Sequence, residues 1–128
     1  MFGITRARVL ALAIATGIAA HVPLAAAHHS SSMFDRSQTL VLTGTVKEYQ
    51  FLNPHTWIEV LVTNEDGTTT QWSVEASGRR PMVAMGLGPT RLLAGDEVTI
   101  RAHPLRDGRN GALFIDITLP DGETVGGE

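Results

Sequence analysis

Alternation of apolar and polar residues is the feature of this sequence that most constrains its fold. Neighbouring side chains of a β-strand point to opposite faces, so this alternation predicts strands with one buried face. Turn dipeptides such as Asp66-Gly67 and Asn110-Gly111 interrupt the alternation and predict tight reversals of the chain. Five strands are predicted in this way, over residues 39–50, 56–64, 68–75, 97–103 and 113–119.

The apolar members of each strand predict which side chains face the core. The predicted inward rows are Leu40, Leu42, Gly44 and Val46; Thr56, Ile58, Val60 and Val62; Thr70, Trp72 and Val74; Val98, Ile100 and Ala102; and Leu113, Ile115, Ile117 and Leu119. Between the third and fourth strands the alternation stops. There, Ser77 is expected to cap a short helix over residues 78–85, which Gly86 ends.

The resulting order of elements is β-β-β-α-β-β, the order of a small five-stranded barrel of the OB type. We therefore expect a mainly β protein that folds as an OB-like barrel with one short helix. An open β-sheet covered by the helix is the alternative. An immunoglobulin-like sandwich needs about seven strands and does not fit.

The first 27 residues differ in composition from the rest of the chain. Arg6 and Arg8 precede an apolar run over residues 9–20, and Ala25-Ala26-Ala27 follows it. This arrangement predicts a secretory signal peptide that is cleaved near Ala27. The apolar run is shorter than the ~20 residues that span a bilayer, so an uncleaved anchor is the alternative. Ala7 separates the two arginines, which argues against a twin-arginine signal.

The predicted segments are a signal peptide (1–27), an extended N-terminal arm (28–38), the β-barrel domain (39–120) and a flexible tail (121–128). Cleavage removes two of ten basic residues and none of thirteen acidic ones, so the net charge changes from −3 to −5. An acidic domain is not expected to bind nucleic acid. We expect a periplasmic or extracellular protein with no membrane insertion after cleavage. Because there is no cysteine, disulfides and thiolate metal sites are excluded.

Several short motifs recur along the predicted mature chain in the order of a known family. They are His28-His29-Ser30, Phe34-Asp35, Gly44-Thr45-Val46, Asn53-Pro54-His55, Trp72, Gly95-Asp96, Pro104-Leu105-Arg106-Asp107-Gly108 and Leu119-Pro120-Asp121-Gly122. With these motifs the chain resembles the exported bacterial family called domain of unknown function 6152. Phe51-Leu52 stand where that family has a Trp-Thr pair. The resemblance implies export and a compact β-rich domain, but no reaction, cofactor or catalytic residue.

The histidines suggest a metal site that uses copper or zinc. Cleavage after Ala27 would give His28 a free α-amine beside its imidazole, and the two nitrogens can chelate one ion. A cut one residue earlier would place His29 third, an arrangement that binds Cu(II) or Ni(II). His103 ends the fourth strand near the arm and is the expected third ligand. His55 lies about 30 Å away at the other end of the first strand. Alternatively, His28-His29 is only a polar start to the arm.

Aromatic residues around the first hairpin suggest a second kind of site. Strict alternation places Tyr49, Phe51, His55 and Trp57 on the outer face, where they could stack on a small ligand or contact a partner protein. A bulge near Asn53-Pro54 would instead shift the register by one residue and return the rings to the core. Both readings make Asn53-Pro54 a turn.

The sequence contains no catalytic motif. The carboxylates Asp35, Glu59, Glu75, Asp96 and Asp116 lack a spacing that indicates acid–base catalysis, and no Gly-x-Ser-x-Gly nucleophile motif occurs. We therefore expect a non-catalytic binding module.

Overall fold

The computed structural model describes residues 31–127, which form a mainly β structure with one short α-helix. A 3-10 turn over Ser31–Met33 comes first. The elements that follow are β1 (Leu40–Gln50), β2 (Trp57–Thr63), β3 (Thr69–Glu75), α1 (Arg79–Ala84), β4 (Glu97–Pro104), β5 (Gly111–Thr118) and β6 (Thr124–Gly126). The predicted signal peptide and the first residues of the predicted arm lie outside the described residues.

Strands β1 to β5 close into a barrel. β1 pairs antiparallel with β2 on one side and with β4 on the other, and β2–β3 and β4–β5 are also antiparallel. A short parallel pairing between β3 and β5, from Ser73↔Gly111 to Glu75↔Leu113, completes the ring. The predicted five-stranded OB-like barrel is therefore confirmed.

β1 is the strand on which the barrel bends. Gly44 pairs with Val62 of β2 and with Val98 of β4, and a Cβ at this position would lie only 2.1 Å from the carbonyl oxygen of Leu61. Only glycine allows so close an approach of the two backbones. Three residues later Lys47 is an extra residue, because Val46 pairs with Val60 but Glu48 pairs with Glu59. This bulge reverses the side-chain alternation in the rest of β1.

The core fills the barrel, and α1 covers one end of it. The predicted inward rows of β1 to β4 are buried or packed against the core, except for Gly44 and Thr70, which are half-buried. Met82 of α1 and Leu87 after it are fully buried in the same cluster.

The start of α1 differs from the prediction. Its N-cap is Gly78, and Ser77 does not cap it. Instead the backbone N–H of Arg79 donates to Oδ1 of Asn53 at 2.9 Å, so the turn before β2 supplies the cap. A Cβ at Gly78 would lie 2.8 Å from the carbonyl oxygen of Pro54, which explains why glycine occupies this position.

The predicted inward row of β5 is correct only in its second half. Arg101 of β4 pairs with Asp116 while Ala102 pairs with Phe114, so Ile115 is an extra residue in β5. Because of this bulge, Ala112 and Phe114 face the core before it, and Ile117 and Leu119 face the core after it. Leu113 is therefore not a member of the inward row, whereas Ile115 is buried at 7% exposure but does not belong to the cluster that fills the barrel.

Both ends of the described chain pack on the barrel. Phe34 of the predicted arm is buried and forms a bridge with Leu105. The segment predicted as a flexible tail forms β6, which pairs with Asp116–Thr118 of β5 and buries Val125. Arg91 binds the carboxylates of Asp121 and Glu123 in the turn before β6. Because the segment is acidic and rich in glycine, its composition does not predict the short strand β6.

Candidate functional site

The structure divides the predicted aromatic surface into two parts. Because the bulge at Lys47 reverses the alternation, Tyr49 and Phe51 pack against the core instead of pointing outward. The hydroxyl of Tyr49 donates to the carbonyl oxygen of Leu87 at 2.9 Å, and burial raises the pKa of Tyr49 to about 12. The predicted alternative, in which the rings return to the core, therefore describes these two residues, although the bulge lies earlier than Asn53-Pro54.

Trp57, the first residue of β2, and His55, two residues before it, lie beside a buried carboxylate. Trp57 is directly opposite Glu75 in the β2–β3 ladder. His55 Nδ1 lies 3.1 Å from Glu75 Oε1. Glu75 is only 4% exposed, whereas the side chain of His55 is 40% exposed. Backbone hydrogen bonds from Thr56 N–H to Ser77 and from Ala76 N–H to Thr56 fix the chain on both sides of this pair.

Glu75 forms part of the wall of a cavity of about 340 Å³ between the arm, β3 and the loop that joins β4 to β5. We call it the arm cavity. Its size lies at the lower end of the range typical of small-molecule sites. It is lined by Met33, Phe34, Trp57, Ser73, Glu75, Leu105, Arg109, Asn110, Gly111 and Ala112. Apolar and aromatic surface thus surrounds one carboxylate, the guanidinium of Arg109 and a few neutral polar groups.

The arm is held against the barrel by backbone hydrogen bonds. Asp35 N–H donates to the carbonyl oxygen of Pro104 at 2.8 Å, and Arg106 N–H donates to that of Met33 at 2.9 Å. These bonds bring Met33 and Phe34 to the cavity as one of its walls. The part of the predicted arm that the structure describes is therefore a structural element of this site.

The carboxylate of Glu75 is accessible from the cavity. Within residues 31–127, no group donates a hydrogen bond to it, and the imidazole of His55 is its one ion-pair contact. No side-chain oxygen or nitrogen of this part of the chain is both sealed from solvent and without a hydrogen-bond partner. A carboxylate oxygen without a partner therefore keeps some contact with solvent, and because Glu75 lines the cavity, water or a ligand there can donate to it.

Sequence reasoning missed Glu75, although one signal pointed to it. The turn at Asp66-Gly67 sets the register of the β2–β3 hairpin, and this register places Trp57 opposite Glu75. An acidic residue opposite a tryptophan on the outer face of the second and third strands is a pair that the register makes visible in the sequence. The burial of Glu75 was not predictable, because it depends on distant segments of the chain.

The residues predicted to bind metal are only partly described. His28 and His29 lie outside the described residues. His103 lies at the arm end of β1, as expected, because Ala102 pairs with Leu40. It is 4% exposed, and its Nδ1–H donates to the carbonyl oxygen of Gln38 at 2.7 Å. Within the described range, no three His, Asp or Glu side chains are grouped as metal ligands. Metal binding stays a prediction.

Comparison with known proteins gives one match. The model of a family described as "Family of unknown function (DUF6152)" matches residues 15–114. No curated protein and no solved structure is significantly similar to the chain. Between residues 31 and 127 there is no helix of the length and apolar character needed to cross a membrane.

Proposed function

Because the chain belongs to the DUF6152 family of unknown function, we propose its role from its own geometry: it is a non-catalytic β-barrel module that binds a small organic ligand in the arm cavity. We propose further that it acts after export, in the periplasm or outside the cell. One observation carries the proposal. Glu75 is almost fully buried, accepts no hydrogen bond from the described protein, and opens into a cavity lined by Trp57 and Phe34.

A structural carboxylate would be expected to look different. Burying an ionised group is costly, so buried structural carboxylates are usually surrounded by hydrogen-bond donors. Glu75 has instead one partially exposed imidazole as its partner. The free-energy cost of burying the carboxylate of Glu75 is explained if a ligand supplies the hydrogen-bond donors that the protein does not.

The position of the cavity supports the same reading. It lies on the outer face of β2 and β3, beside the loop between β4 and β5. OB barrels commonly bind their ligands on this face and between these loops. The likeness is one of fold, so it supports a binding site but does not identify the ligand.

Tryptophan can report binding in this site. The chain has two tryptophans, and a Trp72→Phe variant leaves Trp57 as the only indole. We expect the indole N–H signal of Trp57 in NMR spectra to shift saturably with at least one of three probes: Nα-acetyl-arginine amide, Nα-acetyl-glutamate amide or glucose. If none of the three moves this signal at millimolar concentration, the proposed site is wrong.

A matched pair of variants tests the location. Ser73 and Gln71 both lie on β3, and each donates a hydrogen bond to Glu59. Ser73→Leu adds bulk inside the cavity, whereas Gln71→Leu adds it to the same face outside the residues that line the cavity. Ser73→Leu should abolish the shift of the Trp57 signal and Gln71→Leu should retain it. Equal binding by both variants would place the ligand elsewhere.

We propose copper or zinc binding through the arm as a second candidate. The observation that favours it is the position of His103 beside Gln38, where the arm enters β1. The test uses protein exported with its native signal, with the mature N-terminus determined, in a Cu(II) titration. His103→Ala should weaken binding, whereas His55→Ala at the other end of β1 should not. Unchanged affinity of His103→Ala would remove His103 from the site.

A further inference from the structure

The arm cavity has a chemical character that selects among ligands. Resting on the proposed function above, we infer that its ligand carries a cationic nitrogen group, an ammonium or a guanidinium, which pairs with Glu75 and lies against Trp57. Three features of the site support this class.

The first feature is the balance of charge around the cavity. Glu75 is the buried charged group in its lining. Arg109 at the rim is already paired, because its Nε lies 2.7 Å from Asp107 Oδ2 and its backbone N–H donates to Asp107 Oδ1. The charge of Arg109 is thus compensated by a neighbour outside the cavity. Glu75 has the partly exposed imidazole of His55 against Oε1, which leaves its other oxygen, Oε2, for a ligand.

The adjoining surface of β2 and β3 adds to the negative character. Glu59 accepts hydrogen bonds from the neutral side chains of Ser73 at 2.6 Å and Gln71 at 2.9 Å. Lys47 of β1 donates to Gln71 at 2.7 Å and not to a carboxylate. A cationic ligand would approach a surface that attracts it.

The second feature is the scarcity of donors on the floor of the cavity. The hydroxyl of Ser73 gives its hydrogen to Glu59, and the backbone N–H of Ser73 donates to the carbonyl oxygen of Asn110. The backbone N–H of Gly111 donates to Arg109. These groups have no hydrogen left to offer a ligand, but Ser73 Oγ and Glu75 can still accept. A ligand rich in N–H donors fits these acceptors, and the donors that the lining also holds belong to the side chains of Trp57, Arg109 and Asn110.

The third feature is the aromatic wall. The rings of Trp57 and Phe34 line the same cavity as the carboxylate. Cations are attracted to the faces of aromatic rings, and tryptophan gives the strongest attraction. An aromatic ring next to a buried carboxylate therefore provides two compatible interactions for one organic cation, while its alkyl part can contact Leu105 and Met33.

The experiment compares ligands of equal shape and different charge. Nα-acetyl-arginine amide and Nα-acetyl-citrulline amide differ in one group, a guanidinium against a neutral urea. Titrations followed by the Trp57 indole signal should show that the arginine compound binds at least about tenfold more tightly, since a hydrogen bond to a charged group exceeds a neutral one by about that factor. Equal affinities would overturn the cationic class but leave the cavity as a binding site. If neither compound binds but glucose or the glutamate amide does, the cationic class is likewise wrong and the cavity is still a binding site.

Two variants keep the inference separate from folding effects. Glu75→Gln retains the shape of the side chain but removes its charge, and it should remove the preference for arginine over citrulline. Glu97→Gln is the matched control, because it changes the net charge equally at an exposed position of β4 that does not line the cavity. A preference that survives in Glu75→Gln would refute the role of this carboxylate.

A final pair of probes distinguishes the source of the cation. Butylguanidine represents a free small molecule, and a blocked Gly-Arg-Gly tripeptide represents the side chain of a peptide. Tighter binding of the tripeptide would assign the cation to a peptide or protein segment, and tighter binding of butylguanidine to a small molecule. Absence of binding by both compounds would overturn the inference.

Discussion

Substitution of Glu75 by glutamine or methionine distinguishes a carboxylate that stabilises the barrel from one that is retained for a ligand. A buried charge that is part of a structural ion pair typically costs about 3–5 kcal/mol when its partner is removed. The partner of Glu75, however, is an imidazole that is 40% exposed, and water can replace the carboxylate there. Such a partly solvated pair contributes at most about 1 kcal/mol. The described protein donates no hydrogen bond to Glu75 whose loss would add to this figure.

The desolvation cost of Glu75 acts in the opposite direction. Since the residue is 4% exposed, neutralising it removes an unfavourable contribution to the free energy of folding. We therefore expect the free energy of unfolding of Glu75→Gln to lie within about 1 kcal/mol of that of the unsubstituted protein. We expect Glu75→Met to be more stable than the unsubstituted protein by about 1–2 kcal/mol. A stabilising substitution that removes binding is typical of functional positions.

Equilibrium unfolding in urea at one pH measures these differences, with Glu97→Gln as the exposed control that should change stability by less than about 0.5 kcal/mol. A decrease of about 3 kcal/mol or more in the free energy of unfolding of both Glu75 variants would refute the reasoning, provided that the slope of this free energy against urea concentration is unchanged. That result would mean that the carboxylate is part of the structural framework, and the proposed function would lose its main support.

Three further predictions concern the framework of the site. Tyr49 is the single tyrosine of the chain, so an ultraviolet titration should show its ionisation near pH 12 instead of 10. Because burial raises this pKa, the free energy of unfolding should fall as the pH rises from 10 towards 12. Ionisation near pH 10 in the folded protein would contradict this prediction. Asn53→Ala should cost about 1 kcal/mol in urea unfolding by removing the cap of α1, and Asn53→Asp, which keeps the acceptor, should cost less. Gly44→Ala should lower the free energy of unfolding by at least about 3 kcal/mol, because its Cβ would meet the backbone of Leu61. Gly88→Ala, with open space around it, should leave the stability nearly unchanged. Equal effects of the two substitutions would show that β1 can move away from β2.

Much of the barrel could be predicted from the sequence because alternation and turns are local properties. The rows of β2 and β4 are correct, and the order of elements leads to the observed barrel. The errors arise where one extra residue enters a strand, at Lys47 and at Ile115. Neither bulge contains a glycine or another residue that marks it, since an ordinary residue can be accommodated when neighbouring strands twist. The bulge at Lys47 is the reason why the predicted outward position of Tyr49 and Phe51 is wrong.

The candidate site was less predictable than the fold because it depends on contacts between distant segments. The hairpin register alone brings Trp57 opposite Glu75. The cavity exists only because Phe34 reaches Leu105, about seventy residues later in the chain, and nothing periodic in the arm marks this contact. The polar composition predicted only an extended arm, whereas a single buried aromatic residue and a few backbone hydrogen bonds place the described part of it on the barrel.

The way β5 is shared between two partners has a consequence for the solubility of the protein. One edge of β5 pairs with β3 near its start and with β6 near its end, so the three residues of β6 cover backbone groups that the barrel itself leaves open. An uncovered strand edge is a template for pairing with a second molecule. The short acidic hairpin that follows Leu119 therefore shields the barrel from edge-to-edge association, and a chain shortened at Pro120 would be expected to form aggregates even where the barrel still folds.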